Sequence, residues 1–225
     1  MQSLRGKKFV ASFSGGKDST LAIYRSIIQG MLPMELIITY NTDKERTWFH
    51  GIPKPILDNI SKEINIPISL IETSGAMYTE NFEAKLKNAK EKGAQVCVFG
   101  DIDIEGHLEW CTARCKAVGI EAYFPLWQEE RKKLVYEFID LGFKTMITVV
   151  DTSRMPESFV GKILTRQIAD DIEVSGADIC GENGEYHTFV FDGPLFDRPV
   201  RFGIEDKVKI DNFAVIPLKS EDRGL

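Results

Sequence analysis

The sequence lacks the long apolar runs and the cysteine framework of membrane and secreted proteins. No run approaches the ~20 apolar residues that a membrane-spanning helix requires, and residues 1–8 contain no apolar core of a secretory signal. The four cysteines form no C-x-x-C pair, so we expect reduced thiols. These absences predict a cytoplasmic protein that makes no membrane contact.

A positive charge balance is also missing. Lysine and arginine total 28 and aspartate and glutamate total 34, which gives a formal net charge of -6 and a pI of about 5.3. Proteins that bind nucleic acids usually show a basic balance. The basic clusters at 85–92 and 131–133 are typical of solvated helix faces. A nucleic-acid partner is therefore not expected.

What the sequence does contain is a regular alternation of apolar strands and helical patterns. Strands are predicted at 8–13, 35–40, 68–71, 96–99 and 122–124, and helices at 18–30, 56–64, 82–92 and 106–118. This alternation predicts an α/β fold with a doubly wound parallel sheet. Right-handed crossovers would place Ser14, Tyr40, Ser74 and Asp101 along one sheet edge, where ligands bind.

The pattern changes after Pro125. A helix at 134–141 and a strand at 145–150 precede a short helix at 161–171, a glycine-rich segment and an edge-type strand at 208–216. This mixed order predicts a smaller α+β C-terminal domain. We divide the chain into a nucleotide-binding domain at 1–130 and a substrate or acceptor domain at 131–225.

The segment "SFSGGKDST", residues 12–20, ends the first predicted strand and opens the first predicted helix. It is not a Walker A loop, because Asp18 follows the lysine, and its adjacent glycines do not fit a dinucleotide fingerprint. Gly15 and Gly16 would let the backbone approach an anion, and the amides of the turn would point at it. The alternative is a plain strand-to-helix turn with Asp18 or Ser19 as the N-cap.

The hexapeptide "SGGKDS" at 14–19 resembles the PP-loop of the N-type ATP pyrophosphatases, which cleave ATP between the α and β phosphates. The resemblance implies a sheet of the adenine nucleotide α-hydrolase-like (HUP) type, with the released pyrophosphate held by the loop. Adenine would pack near the end of the second strand. The implied ATP-binding residues are Ser12, Ser14, Gly15, Gly16, Lys17, Asp18, Ser19, Thr39, Tyr40 and Gly100.

Three further segments are similar to the diphthine–ammonia ligase (diphthamide synthase) family. They are "FGDIDIEGH" at 99–107, "GIEAYFPLW" at 119–127 and "CGENGEYHTFVFDGP" at 180–194. Eukaryotic and archaeal members carry an acidic residue at the place of His187. The resemblance implies an ATP-dependent amide ligase that adenylates a diphthine-like carboxylate and amidates it with ammonia, releasing AMP and pyrophosphate. The implied partners are ATP, ammonia and the diphthine of elongation factor 2.

Amide formation needs an activated acid, because a carboxylate is a poor electrophile. Adenylation supplies AMP as the leaving group, and catalysis then depends on positioning and charge stabilisation. Lys17 would hold pyrophosphate, while Asp18 and Asp101 are candidate ligands for Mg²⁺. The candidate catalytic residues are Lys17, Asp18, Asp101, Glu182, Glu185 and His187.

The segment "GENGEYHT" concentrates titratable groups between glycines. Glu182 or Glu185 could bind ammonium and help to deprotonate it, and His187 could do the same or contact the acceptor. The alternative is an acidic turn that leads into a strand. His50, in "RTWFHGIP", either borders the nucleotide or is an ordinary loop histidine.

His107, Cys111 and Cys115 recur every four residues and could share a helical stripe. Such a stripe would suit a metal, but no fourth ligand is evident, and cysteine is commonly a small core residue. We interpret the two cysteines as core residues.

Other functions on the same architecture stay open. Sulfur transfer to tRNA would need a persulfide cysteine and a basic surface, and neither is visible. A glutaminase partner domain is not evident either, which favours free ammonia. A PP-loop enzyme acting on another carboxylate, and a non-catalytic ATP-binding module, are the remaining alternatives. A homodimer is compatible with the sequence.

Overall fold

The computed structural model describes residues 4–48, 50–73 and 77–221. The chain divides into two compact units. The first comprises Met1–Ser14, Asp18–Trp48 and Ile66–Glu129, and the second comprises Gly15–Lys17, Phe49–Asn65 and Glu130–Leu225. The predicted division at residue 130 stays a proposal, because two short N-terminal segments cluster with the second unit.

The helices and strands follow one another in the order expected of an α/β chain. They are β1 Lys8–Ser12, α1 Lys17–Ile28, β2 Leu32–Asn41, β3 Arg46–Thr47, α2 Lys54–Ile64, β4 Ile68–Thr73, α3 Tyr78–Glu91, β5 Val96–Val98, α4 Glu105–Val118, β6 Glu121–Tyr123, α5 Arg131–Asp140, β7 Lys144–Asp151, a 3₁₀ turn Glu157–Phe159, α6 Arg166–Val174, β8 Tyr186–Asp192, β9 Gly203–Ile204, β10 Val208–Ile210, β11 Phe213–Val215 and β12 Leu218–Lys219. No helix among the described residues combines the length and hydropathy needed to cross a membrane.

The first unit contains a sheet whose main strands are parallel. β2 pairs with both β1 and β4, and β1 pairs in turn with β5, which pairs with β6. The chain thus starts in the middle of the sheet and builds outward in both directions, as in doubly wound folds. Among the described residues of this unit, the short β3 alone runs antiparallel, against the end of β2. The predicted α/β fold class is confirmed, with β3 making the sheet mixed.

Burial of apolar strands and helix faces explains why this sheet forms. β5 is wholly buried, as expected for a central parallel strand with both faces covered. Phe82, Leu86 and Ala89 form the inner stripe of α3, and Cys111 and Cys115 form that of α4; all five belong to one core cluster with residues of the sheet. The core therefore fixes β1 and β5, the two strands that lead into the predicted site residues.

The second unit is built on an antiparallel sheet in the order β10-β11-β7-β8, with a separate two-stranded sheet of β9 and β12. β7 is the central strand and is buried along nearly its whole length. β8 pairs with β7 from Tyr186↔Val150 to Asp192↔Lys144. This arrangement agrees with the predicted α+β character of the C-terminal region.

The helix predicted at 161–171 begins later than the sequence suggested. Thr165 caps α6 by accepting a hydrogen bond from the Ile168 amide at 3.2 Å. The residues before it run beside β7 instead, since the Gly161 amide donates to the Ile147 carbonyl at 2.7 Å. Residues 161–164 thus pair with β7 and are not part of the helix.

The single edge strand predicted at 208–216 was also wrong. The segment is a hairpin, β10 and β11, that turns at Asp211 with a φ of 50°. Aspartate tolerates this left-handed conformation better than most residues. The polar Asp211 and Asn212 were the available signal for the turn.

Three of the four residues predicted at the sheet edge lie at or just beyond the carboxyl ends of parallel strands. Ser14 follows β1, Tyr40 is the penultimate residue of β2, and Asp101 follows β5. Ser74 lies outside the described residues. The first unit therefore presents Ser14, Tyr40 and Asp101 where ligands of α/β sheets bind.

Candidate active site

Two serines of the PP-loop, Ser14 and Ser19, contact each other in the first unit. The Ser14 amide donates to Ser19 Oγ at 3.2 Å, and the two hydroxyl oxygens lie 3.0 Å apart. Ser19 is buried in the first turn of α1, and Ser12 is the last residue of β1. The loop thus turns tightly onto a helix N-terminus, where the helix dipole favours an anion.

Gly100 packs closely against the backbone of this turn, at Asp18 and Ser19. A Cβ built on Gly100 would lie 2.7 Å from the Ser19 amide nitrogen and 2.8 Å from the Asp18 carbonyl carbon. The end of β5 therefore touches the backbone of the first turn of α1, which only glycine permits. This close approach brings Asp101, the next residue, to the neighbourhood of Asp18.

Asp101 has a partner that the sequence did not predict. Its Oδ1 lies 3.1 Å from Nδ1 of His107, which projects from the first turn of α4. The Asp101 side chain is 22% exposed, so the carboxylate remains accessible to a cation or phosphate-bound metal. His107 thus contacts the carboxylate of Asp101, a predicted metal ligand.

The cysteines of the same helix belong to the core. Cys111 and Cys115 are buried beside Cys97, and burial raises the pKa of the Cys111 thiol well above its usual value. Buried protonated thiols are poor metal ligands. Among the described residues, no group of three or more His, Cys, Asp or Glu side chains could hold a metal ion.

An aromatic pair stands beside the predicted adenine region. Thr39 shares a hydrogen bond with Tyr78, whose pKa is raised chiefly by burial. The Tyr78 ring stacks on Trp110 with centroids 5.4 Å apart and planes tilted by 11°. Tyr40, the other predicted adenine contact, is 8% exposed. Of the two predicted adenine contacts, Thr39 is thus the one that lies next to the aromatic pair. Tyr78 was not predicted from the sequence.

Lys17 belongs to the second unit, where it is 4% exposed and is bonded both to β8 and to the segment that precedes it. Its amide donates to Thr188 Oγ1 at 3.1 Å, and its ammonium group donates to the Cys180 carbonyl. The ammonium also lies 5.3 Å from the centre of the Tyr186 ring. A buried cation held in this way is a fixed positive charge for an anionic ligand.

Gly15 is fixed by the same unit. Its φ is 84°, and a Cβ at this position would lie 2.2 Å from Ile52 Cδ1. Its carbonyl accepts a hydrogen bond from the Val190 amide at 2.9 Å. The positive φ thus favours glycine here, and within the second unit the Gly15 carbonyl is held by β8.

His50 and His187 lie together beside Lys17. The ring centroids are 5.0 Å apart, and His50 Nδ1 lies 2.6 Å from the Thr188 carbonyl oxygen. Burial, the neighbouring imidazole and the Lys17 charge lower the pKa of His50 to about 3. Burial and Lys17 lower the pKa of His187 to about 4. Both rings are therefore neutral at neutral pH.

The glycine-rich segment before β8 is organised by Asp178. Its carboxylate accepts hydrogen bonds from the Cys180 amide at 3.2 Å and the Glu182 amide at 2.8 Å, and it pairs with Arg131 at 2.7 Å. The carbonyl that receives the Lys17 ammonium is thereby fixed in place. Sequence reasoning missed Asp178, which stands just outside the recognised motif.

Glu185 is buried and engaged within the same segment. Its two carboxylate oxygens accept hydrogen bonds from the Asn183 amide and side chain, each at 3.1 Å. Its carbonyl accepts from the Asp151 amide at 2.8 Å, as the first rung beside β7. Glu185 thus shapes the turn, whereas His187 points to the surroundings of Lys17.

The fold and the loop together define an α/β protein of the PP-loop class, with the glycine-rich turn between β1 and α1. Residues 7–122 match the diphthamide synthase N-terminal domain, and residues 130–215 match the diphthamide synthase C-terminal domain. The chain belongs to the diphthamide synthase family. The predicted family, its ATP-dependent ligase class and its link to diphthamide biosynthesis are thereby confirmed.

Named relatives agree with this assignment. The chain is 33% identical over 224 residues to a diphthine–ammonia ligase of Mus musculus, covering 86% of this chain and 82% of the relative. The corresponding protein of Rattus norvegicus is 25% identical over 244 residues, covering 93% and 88%. The match to the Homo sapiens protein, 34% identical over 90 residues, covers 38% of this chain and 34% of that relative.

Proposed function

We propose that the protein is an ATP-dependent amide ligase that adenylates a diphthine-like carboxylate and amidates it with ammonia, releasing AMP and pyrophosphate. The observation that carries this proposal is the PP-loop of a diphthamide synthase family member, with Lys17 buried as a fixed cation beside it. The relatives' name, diphthine–ammonia ligase, favours amidation over tRNA thiolation or a non-catalytic module.

The loop would bind the β and γ phosphates of ATP, the part that leaves as pyrophosphate. The closed turn of Ser14 and Ser19 supports this role, because its amides and hydroxyls can donate to phosphate oxygens. Gly15 and Gly16 allow the backbone to approach, and Lys17 supplies charge. Ser12 and Gly100 border the turn, and adenine would lie near Thr39 and Tyr40.

Mg²⁺ would be held by Asp18 and Asp101, a pair of carboxylates that suits a hard cation retaining several waters. The contact of Gly100 with the backbone of Asp18 supports this assignment, because it brings Asp101 into the same neighbourhood. When bound, Mg²⁺ would neutralise charge on the phosphate oxygens. The chain's own contribution would be to hold both carboxylates near the first turn of α1.

Residues of the second unit would serve the acceptor and the ammonia step. Glu182, Glu185 and His187 stay candidates for that role. The acceptor would be the diphthine of elongation factor 2, a translation factor, and the reaction would take place in the cytoplasm; the four cysteines, none of which forms a disulfide, agree with this proposal. A homodimer stays a prediction that sedimentation equilibrium would test.

The experiment is an assay of acceptor-dependent ATP cleavage. Mg-ATP, ammonium and diphthine-bearing elongation factor 2 should yield AMP, pyrophosphate and amidated acceptor in equal amounts, and chelation of Mg²⁺ should stop the reaction. Lys17→Met should abolish product, whereas Lys54→Gln, which alters an exposed lysine of α2, should not. Formation of ADP and orthophosphate, or turnover only with tRNA and a sulfur donor, would contradict the proposal.

A further inference from the structure

Two of the three histidines of the chain pack against each other in the second unit. They come from separate parts of the chain: His50 precedes α2 and His187 lies in β8. Neither ring is among the proposed phosphate and metal ligands. We therefore ask whether the two histidines act in the step after adenylation, in which ammonia attacks the acyl adenylate.

The hydrogen bond of His50 fixes which ring nitrogen carries the proton. A carbonyl oxygen can only accept, so the 2.6 Å contact with Thr188 requires a proton on His50 Nδ1. A neutral ring has a single N–H. Nε2 of His50 is therefore the nitrogen with a free lone pair, the form needed to accept a proton.

The pair is connected to the phosphate loop through Thr188. The Thr188 carbonyl accepts from His50, and the Thr188 hydroxyl accepts from the Lys17 amide at 3.1 Å. A single residue of β8 thus positions both the imidazole and the cation. This places a proton acceptor next to a group that holds the leaving end of the nucleotide.

The surroundings favour a neutral nitrogen nucleophile over a charged one. Burial is the main cause of the lowered pKa values of His50 and His187, and the charge of Lys17, which is buried nearby, lowers both further. Ammonium would meet the same repulsion, whereas ammonia would not. Ammonia can donate an N–H to an imidazole lone pair.

The nearby carboxylates are less suited to this task. Both oxygens of Glu185 are engaged by Asn183, and this arrangement holds the turn that leads into β8. Moving Glu185 toward a nucleophile would break two hydrogen bonds. His50 can accept a proton at Nε2 while its Nδ1 keeps the contact with the Thr188 carbonyl.

We propose that His50 and His187 form the ammonia site of this ligase, with His50 Nε2 as the proton acceptor and His187 positioning the nucleophile. This inference rests on the proposed function and specifies its second half. Ammonia donates a hydrogen bond to His50 while its lone pair points at the acyl carbon of the adenylate.

The step balances without a further reactant. The ammonia nitrogen forms a bond to the acyl carbon, and the bond from that carbon to the AMP oxygen breaks, its electron pair leaving with AMP. One proton passes from the nitrogen to His50 Nε2 and then to water. Phosphate beside Lys17 would offset only the part of the lowered pKa values that the Lys17 charge causes.

The test separates the two half-reactions. ATP–pyrophosphate exchange in the presence of diphthine-bearing elongation factor 2 reports adenylation, and amide formation from ammonium reports the second step. His50→Asn keeps an N–H donor for Thr188 but has no proton acceptor. We expect exchange within about threefold of wild type and amide formation reduced about 10²-fold, as for loss of a general base.

A second nucleophile and a second variant make the result specific. Hydroxylamine is uncharged at neutral pH and its adduct loses a proton readily, so it should restore product formation by His50→Asn. His187→Gln should raise the KM for ammonium more than it lowers kcat. Lys54→Gln is the control, and thermal unfolding checks that each variant is folded.

The outcomes separate this inference from the function on which it rests. Wild-type protein without acceptor-dependent exchange would overturn the proposed function. Normal exchange with unchanged amide formation in both histidine variants would overturn the ammonia site alone. A raised KM for the acceptor during exchange would assign the pair to acceptor binding instead and would equally refute it.

Discussion

Replacing Gly100 with alanine should damage both stability and ATP use, for a reason that the geometry makes quantitative. The backbone of Gly100 does not need a positive φ, so the effect is purely steric. The added methyl would lie 2.7 Å from the Ser19 nitrogen, about 0.7 Å short of an ordinary contact at 3.4 Å. The atoms it meets are backbone atoms in the first turn of α1, which cannot rotate away.

Overpacking of this kind costs about 1–3 kcal/mol. At roughly 2–4 °C per kcal/mol for a chain of this size, the midpoint of thermal unfolding should fall by about 2–12 °C. A shift of the first turn also moves the loop amides. Because misplacement by about 1 Å can lower a rate about 10²-fold, we expect kcat/KM for ATP to fall at least about tenfold.

Gly106→Ala provides the matched control. Gly106 lies in the first turn of α4, has no positive φ, and a methyl there would meet no atom within 4 Å. It should leave activity unchanged and raise stability by up to about 1 kcal/mol through helix propensity. Differential scanning calorimetry and pyrophosphate-exchange kinetics would measure both variants. A Gly100→Ala protein with wild-type unfolding and wild-type ATP kinetics would refute the reasoning.

Further predictions concern the charged and titratable groups of the second unit. Lys17→Met should lower pyrophosphate exchange by at least about 10²-fold, since it removes a preorganised charge; exchange within tenfold of wild type would argue against the phosphate role. Asp178→Ala should destabilise the protein by about 1–3 kcal/mol in urea unfolding, because two amides and Arg131 lose their acceptor; an unchanged midpoint would contradict this. For His50 and His187 the folded-state pKa values, about 3 and about 4, lie below the ordinary value of 6.5, so the unfolded chain binds protons first. The free energy of unfolding is therefore unaffected by these rings above pH 6.5 and falls as the pH falls towards 4, by about 1.4 kcal/mol per pH unit for each ring. The His50→Asn, His187→Gln double variant should lose stability less steeply over this range, and a pH profile identical to that of wild type would refute the prediction.

Much of the first unit could be predicted because its strands are short, continuous apolar runs. β1 and β5 are buried on both faces, so their sequences carry a signal that does not depend on distant residues. The same holds for the glycines that end helices, such as Gly119 at the C-terminus of α4. Local sequence rules are sufficient where local structure and burial agree.

The second unit was harder because its structure depends on pairing between distant segments. Residues 161–164 carry a helical pattern but run beside β7. The histidine pair was invisible for the same reason, since His50 contacts Thr188 at a separation of 138 positions. The motif containing Glu185 and His187 was recognisable, but the sequence could not say that the first shapes a turn while the second lies near Lys17.

The hydrogen bonds from Lys17 to Thr188 and Cys180 have a consequence for biosynthesis. Thr188 is 171 positions further along the chain, and Cys180 is 163 positions further. At roughly 5–20 residues per second, the ribosome would deliver these partners on the order of 10–30 s after the lysine itself. The contacts of Lys17 therefore form only after residues 180–188 have been synthesised, and a product truncated before them would carry the Gly15-Gly16 turn without these partners.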